Sequence, residues 1–317
     1  MKKYTSVKDV ANVEELVNEA LHLKQNPDKY KSLGENKTLG LIFLNPSLRT
    51  RLSTQKAAMN LGMNVMVMNL DKEGWALETQ EGAIMNGTTV EHIKEAAAVM
   101  GEYCDILGIR SFPKLQNRDE DYNEELLQQF IDYAGIPIVS LESATRHPLQ
   151  SLADLVTITE QKPASKKSKV VLTWAPHVKS IPQCVANSFA EWMGQADDVE
   201  LVITHPEGYE LADEFTQNAT VTTNQNEALK DADFVYVKNW SSYTDYGKVL
   251  TDGNGWMMTN EKLALTNNAK VMHCLPVRRN VELSDEILDG PNSLVLQQAN
   301  NRTYAAQAVL KRMLETI

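Results

Sequence analysis

Short runs rich in valine, isoleucine and leucine recur about every 25 to 40 residues along the chain, a spacing that suits strands separated by helices. They are LGLIFL (39–44), NVMVMNL (64–70), CDILGI (104–109), GIPIVSL (135–141), KVVLTW (169–174), VELVIT (199–204), DFVYV (233–237), KVMHC (270–274) and SLVL (293–296). They lack the alternation of a half-exposed strand, so each is predicted to be covered on both faces, as in a parallel sheet.

Helical periodicities lie between the runs. Val13, Leu16, Val17 and Ala20 fall at i, i+3, i+4 and i+7, and Ala306, Val309, Leu310 and Met313 repeat the spacing near the end. Thr88 followed by Glu91 reads as a capping box opening a helix that buries Ile93, Ala97 and Met100. Strands alternating with helices build right-handed βαβ units and parallel sheets. The polar stretch QKPASKKSK (161–169) is the best boundary, with four predicted strands before it and five after. The expected fold is therefore α/β, with two doubly wound parallel-sheet domains and a cleft between them. Ligands of such sheets bind beyond the carboxyl ends of the strands, and the chemistry is expected there.

At 317 residues the chain has room for two such domains of about 150 residues each. A composition 43% hydrophobic and 23% charged excludes the collagen, coiled-coil and disordered classes. The net charge of −11 argues against nucleic acid or an anionic membrane surface as partner, so any anion site must be a local cluster of cations. The opening MKKYTSVKDV leads into no apolar run, and nowhere do apolar residues approach the eighteen or so that a membrane span needs, so a cytoplasmic location is expected. Cys104, Cys184 and Cys274, without CxxC spacing, suit a reducing compartment and provide no disulfide framework or cysteine zinc site.

Candidate chemistry gathers after the apolar runs. The first leads into NPSLRTRLSTQKAA, with Pro46, Ser47 and Thr50 at a predicted helix start. Free backbone N–H groups there, the two hydroxyls and the Arg49 guanidinium suit a phosphate. Arg49 and Arg51 are equally compatible with solvated surface charge, because short motifs misfire. Neither a Walker loop nor GxGxxG occurs, so a nucleoside triphosphate or dinucleotide is not indicated. Arg110 follows the third run, at a cleft mouth or as an ion-pair partner. After the fourth, SLESATRHPLQS gathers Glu142, Arg146, His147 and Gln150. His147 could simply cap the next helix, or imidazole and carboxamide could together hold a polarised carbonyl and its amide nitrogen. No second histidine stands at metal-ligand spacing, so zinc is not expected.

In the second half, WAPH places His177 after a strand, VKNW places Lys238, and HCLPVRRN places Cys274, Leu275 and Arg278. Cys274 has only the adjacent His273 as a base, which makes a backbone-carbonyl role for the Cys-Leu-Pro turn at least as reasonable as a nucleophile. His22 and His205 have no such context and are expected to pack or to face solvent.

These segments together resemble the aspartate/ornithine carbamoyltransferase superfamily over essentially the whole chain. SLRTR (47–51), RHPLQ (146–150) and HCLPVRR (273–279) are similar to its phosphate, carbamoyl and amino-substrate motifs, and HCLP favours the ornithine side. The segment after the strand at 233–237 reads KNWSSYTDYG, without the aspartate and Ser-Met-Gly turn with which plain ornithine enzymes hold a free α-amine. KNW (238–240) and WAPH (174–177) resemble instead the acylornithine branch, whose acceptor is acylated by acetyl or succinyl.

The resemblance implies a carbamoyl phosphate-binding domain at 1–150 with helix 298–317, an acylornithine-binding domain at 151–297, and no cofactor or metal. Ser47, Leu48, Arg49 and Thr50 would hold the phosphate, with Trp75 reaching over from a neighbouring subunit and Arg302, at the start of the last helix, adding a contact. Arg110 would bridge phosphate and carbonyl oxygen, and Arg110, Thr50 and His147 would stabilise that oxygen as it becomes negative. Gln150 and the carbonyls of Cys274 and Leu275 would orient the carbamoyl NH2. Glu142, His177, Lys238 and Arg278 would recognise the N-acylated ornithine.

Val90 matches the position, supplied by the adjacent subunit, that tells the acyl groups apart. The resemblance gives acetyl enzymes a glutamate there and succinyl enzymes a small apolar residue, typically proline. Val90 has no charge to repel a succinyl carboxylate, which favours N2-succinyl-L-ornithine over the acetyl acceptor. A homotrimer with shared active sites is implied too, as is a knotted second domain whose threaded loop contains Pro176 and Pro182. A catalytically silent metabolite sensor on the same scaffold would have lost its anion ligands, whereas Ser47, Arg49, Thr50, Arg110, His147, Gln150 and Arg302 are all present.

Overall fold

The structure, a computed structural model, describes residues 1–163 and 167–317. Residues 164–166, inside the expected boundary stretch 161–169, lie outside the described residues. The strands are β1 (Lys3–Tyr4), β2 (Thr38–Phe43), β3 (Asn64–Asn69), β4 (Leu77–Glu78), β5 (Glu91–His92), β6 (Ile106–Arg110), β7 (Ile138–Glu142), β8 (Ser168–Trp174), β9 (Val199–Thr204), β10 (Thr220–Thr222), β11 (Phe234–Lys238) and β12 (Lys270–Met272). The chain divides into two compact units, one of residues 1–113, 119–149 and 302–317, the other of residues 114–118 and 150–301.

The first unit is built on a parallel sheet in the order β1-β7-β6-β2-β3, the second on a parallel sheet in the order β10-β9-β8-β11-β12. Eight of the nine apolar runs form strands. The ninth, 293–296, does not: beyond an isolated bridge between Val271 and Ser293 it enters the helix Val295–Leu314. A short apolar run suits a buried helical turn as well as a strand, and the periodicity after it decides. β3 also departs from expectation, because it is an edge strand whose residues alternate between exposed and half-buried. Met66 and Met68 stand 56% and 41% exposed on it.

The helix expected from Thr88 starts later, at Ile93. Its N-cap is His92, whose ring accepts from the Lys94 N–H at 3.2 Å, while Glu91 belongs to β5. Ile93 and Ala97 are buried as expected, and Met100 is half-buried. In the first sheet Leu41, Leu107, Ile109 and Leu141 are wholly buried, and truncating one such leucine to alanine costs about 2–5 kcal/mol. Gly40 lets the helix side approach closely: a Cβ there would lie 2.6 Å from Leu107 Cδ2 and 2.7 Å from Cys104 Sγ.

Winding reverses once in each sheet. After β2 the chain adds β3 on one side and returns to β6 on the other, and after β8 it adds β9 and β10 before returning to β11. Crevices at the carboxyl ends of such strand pairs are where open α/β sheets bind ligands. Phe43 is level with Arg110 at the end of the first pair, and Trp174 with Lys238 at the end of the second. No helix among the described residues is long and apolar enough to cross a membrane.

Candidate active site

In the first unit the chain leaves β2 and enters the helix Arg49–Asn60, whose N-cap Leu48 provides no side-chain cap, so the first N–H groups keep their donor capacity. Pro46, Ser47 and Leu48 line a cavity of about 330 Å³ with Phe43, Arg51, Asn69 and Lys72. Arg51 donates to Asn69 Oδ1 at 3.1 Å and lies over the Phe43 ring, which makes it part of the cavity wall. Thr50 is buried, and its hydroxyl accepts from Arg302 Nη2 at 2.6 Å. Arg302 is not at the start of the last helix, since Val295–Leu314 begins about two turns before it.

β6 has an irregularity between Ile109 and Arg110 that sets Arg110 level with Glu142 instead of Leu141. Arg110 and Glu142 form a buried ion pair, and the guanidinium lies 4.3 Å above the Phe112 ring. Arg110 Nε has no hydrogen-bond partner among the described residues. His147 stands with Nε2 3.5 Å from Glu142 Oε2, and its Nδ1 is buried without a partner among the described residues. Burial is the main reason that His147 is pushed down to about 3; Glu142 opposes the shift, while Arg302, Arg110 and Arg49 reinforce it. The imidazole is therefore neutral at physiological pH.

Trp75 and Val90 are together, but on a different part of this unit. They flank the ribbon formed by β4 and β5, with Trp75 Nε1 donating to Glu91 Oε2 at 2.9 Å and Val90 N to Ala76 O at 3.2 Å. Trp75 is 55% and Val90 64% exposed, in contrast to the buried Thr50, Arg110, Glu142, His147 and Arg302.

The second unit holds the remaining residues in two linked groups. Gln150 and Gln298 each donate from Nε2 to Asp154 Oδ1 at 2.7 Å, and Gln298 Oε1 accepts from His273 N at 3.0 Å. A carboxylate only accepts, so both carboxamides must present their NH2 to Asp154. Leu275 has φ +55, a left-handed conformation uncommon outside glycine, and its N–H donates to His273 Nδ1 at 2.9 Å. With Nδ1 so engaged and Nε2 directed at Glu282 Oε1, 3.6 Å away, His273 is not placed as a base for Cys274.

His177, Lys238 and Arg278 make the second group. Arg278 Nε donates to His177 Nε2 at 3.1 Å, so the ring accepts there and is neutral, while Nδ1 lies 3.0 Å from Lys179 O and 3.1 Å from Lys179 N. Burial foremost, with the Lys238 and Arg278 charges, lowers the His177 pKa against the pull of Glu282. Glu282 is buried and accepts from the Arg278 N–H at 2.6 Å. Burial alone would raise its pKa, but His273, Lys238 and the Arg278 N–H hold it below the usual value. Lys238 is 8% exposed and donates to Asn239 O at 3.0 Å. Asn239 Nδ2 to Ala175 O at 2.6 Å and Trp174 Nε1 to Trp240 O at 2.8 Å tie the ends of β8 and β11 together.

Asp154, Gln298 and Glu282 belong to none of the motifs that the sequence displays. Asp154 had a usable signal, since it follows Gln150 at i+4 on one helix. His205 is buried edge-on to Trp240, and His22 lies at the surface beside Lys29. Among the described residues no group of three or more His, Cys, Asp or Glu could hold a metal ion.

Residues 2–160 match the family "Aspartate/ornithine carbamoyltransferase, carbamoyl-P binding domain" and residues 184–313 match "Aspartate/ornithine carbamoyltransferase, Asp/Orn binding domain". The N-succinylornithine carbamoyltransferase of Bacteroides thetaiotaomicron is 53% identical over 317 residues, 99% of either chain. The N-acetylornithine carbamoyltransferase of Xanthomonas campestris pv. campestris is 35% identical, over 95% of this chain and 93% of its own. A solved glutamate-to-valine variant of N-acetyl-L-ornithine transcarbamylase, complexed with carbamyl phosphate and N-succinyl-L-norvaline, superposes with a TM-score of 0.92 at 32% identity, covering 99% of this chain and 100% of that one.

Proposed function

The chain belongs to the aspartate/ornithine carbamoyltransferase family, and from that premise we propose that it moves the carbamoyl group of carbamoyl phosphate to the δ-amine of N2-succinyl-L-ornithine, giving N-succinylcitrulline and phosphate in arginine biosynthesis. One observation carries the reading: Thr50, Arg110, His147 and Arg302 are all buried, at the carboxyl ends of the strands and on the last helix, in a chain of net charge −11. Arg110 is paired with Glu142, and the guanidiniums of Arg302, Arg110 and Arg49 all act on His147; such a local gathering of cations in an acidic chain suits an anion.

Ser47, Leu48, Arg49 and Thr50 offer N–H, hydroxyl and guanidinium donors to the phosphate, with Arg302 behind Thr50 and Trp75 brought by a neighbouring subunit. Arg110 spans phosphate and carbonyl oxygen. The δ-nitrogen attacks the carbonyl carbon, a C–N bond forms, and the oxygen takes the negative charge, which Arg110, Thr50 and the neutral His147 stabilise by hydrogen bonds. Gln150 and the Cys274 and Leu275 carbonyls accept from the carbamoyl NH2 and aim the carbon. The C–O bond then breaks, and the departing phosphate takes the proton of the amine. A lysine-like amine has a reference pKa near about 10.4, and a site that excludes water lowers it toward the attacking form. His177, Lys238 and Arg278, with Glu142, recognise the acylated ornithine and its carboxylates.

Val90 supports succinyl over acetyl. The family resemblance places a glutamate there in acetyl enzymes, and variants of one such enzyme with a glutamate replaced by valine, alanine, proline or serine are each complexed with the succinyl compound. We extend to this chain the homotrimer with shared sites, the threaded loop at Pro176 and Pro182 and the cytoplasmic location. Exposed Leu48, Leu52, Met59, Met66 and Met68 on one helix and the adjoining edge strand support the first of these. Steady-state carbamoylation of ornithine, N-acetylornithine and N-succinylornithine side by side tests the reading: N-succinylornithine is expected to give the highest kcat/KM, and a preference for either of the others overturns it.

A further inference from the structure

The turn between β7 and the helix Pro148–Gln161 carries Arg146 and His147, and its middle residue Thr145 is 2% exposed. Both donors of Thr145, its backbone N–H and its hydroxyl, reach the same oxygen of a residue 21 positions earlier, Glu124 Oε1, each at 2.8 Å. The ends of the turn are bonded to each other: Ser143 N donates to Arg146 O at 2.8 Å, and Arg146 N to Ser143 Oγ at 3.2 Å. Arg146 Nη1 adds a donor to Thr145 Oγ1 at 3.1 Å. Glu124 thus accepts from both donors of the middle residue of the turn.

Glu124 occupies this place in a left-handed backbone conformation, φ +49 and ψ +35. Glycine and asparagine tolerate that region, yet the asparagine of this segment is one position earlier, at Asn123. Glu124 is also the N-cap of the helix Glu125–Tyr133, where a polar side chain normally accepts from the first turn, and it makes no such bond. A strained non-glycine backbone persists only where its surroundings hold it, and such residues gather at functional sites. Here the strain and the forgone cap fall on the residue whose carboxylate binds the middle of the turn. Glu142, which precedes the turn, pairs with Arg110 and faces His147, which follows it, at 3.5 Å.

We infer that Glu124 is a positioning residue for carbamoyl transfer: it holds Thr145, and through the turn it keeps His147 and Glu142 aligned with Arg110. The inference rests on the proposed function. Three variants test it. E124Q keeps the acceptor oxygen, E124G removes it while suiting the left-handed backbone, and T145V removes the hydroxyl but leaves the N–H. E124Q is expected to stay within about twofold of wild-type kcat, and E124G to lose about tenfold or more with both KM values changed by less than about threefold. T145V falls between, and in the E124G background it adds only what the Arg146 Nη1 contact to the hydroxyl contributes. Amide exchange at Thr145 accelerates about tenfold or more in E124G while the β7 amides keep their protection. Wild-type kcat in folded E124G, or unchanged exchange at Thr145, overturns the inference; if E124G does not fold, wild-type kcat in T145V does so. A wild-type protein that carbamoylates none of the three ornithines overturns the proposed function instead, and the exchange rates still decide whether Glu124 holds the turn.

Discussion

Arg302 Nη2 donates to the Thr50 hydroxyl at 2.6 Å, joining residues 252 positions apart. Because the hydroxyl oxygen accepts from Arg302, its own proton is left to donate to a second acceptor, which on the proposed function is the phosphate at the start of the helix Arg49–Asn60. Arg302→Ala is expected to raise the KM for carbamoyl phosphate about tenfold or more, and Arg302→Lys to recover only part of this, since an ammonium cannot serve two acceptors in a fixed fork. Initial rates at saturating acceptor and varied donor measure it. An unchanged donor KM takes Arg302 out of the phosphate site.

Arg110→Ala should lower kcat by about 100-fold or more while the acceptor KM changes far less, as expected when a transition-state contact is lost. The substitution also removes the guanidinium that pairs with the buried Glu142, which costs stability up to about 3–5 kcal/mol. Thermal melts alongside the kinetics separate the two effects, and a kcat equal to that of the wild type removes Arg110 from the reacting centre.

The neutral His147 makes stability depend on pH in a defined direction. Its folded pKa of about 3 lies below the unfolded value of about 6.5, so between these two the unfolded chain binds a proton that the folded chain does not. No stability is lost through this group above pH 6.5 or so, and below it the loss grows by about 1.4 kcal/mol per pH unit. Urea unfolding from pH 7 down to about 4.5 should therefore show a steeper decline for the wild type than for His147→Asn. Parallel declines would mean that His147 titrates normally in the folded protein.

Val90→Glu places a charge on the β4–β5 ribbon where a succinyl carboxylate is proposed to lie. The ratio of kcat/KM for N-succinylornithine over N-acetylornithine should fall by about tenfold or more. If the ratio stays constant, the acyl pocket is elsewhere.

Met66→Lys together with Met68→Lys charges the exposed edge of the first sheet. Light scattering is expected to give a trimer for the wild type and smaller species for the double variant, with the circular dichroism of the monomer retained. A wild type that is monomeric at assay concentration contradicts shared active sites.

How much of this could be read from residues alone follows from the physics of each element. Strands such as β2, β6 and β8 are long, apolar and buried, so their runs declare themselves; β1 and β10, of two and three residues, carry no pattern to detect. The run at 293–296 misled because apolarity without length does not distinguish helix from strand. Arg110, His177 and Lys238 stood out as charges at the ends of apolar runs. Gln298 and Glu124 did not, because what defines them is a contact with a residue distant in sequence, 144 positions away for Gln298 and Asp154 and 21 for Glu124 and Thr145; Glu282 did not, because its partners Arg278 and His273 are close in sequence but at no periodic spacing that marks a site. Trp75 and Val90, on an exposed ribbon, had no local signal and entered only through the family resemblance.

Val90 also has a bearing on how such proteins diverge. It is largely solvent-facing and outside the clusters that hold each unit together, so exchanging it alters folding by roughly 0.5 kcal/mol or less. On the proposed reading of Val90, a change at this one codon switches the chain from one blocked amino acid to another and leaves the donor chemistry inherited intact.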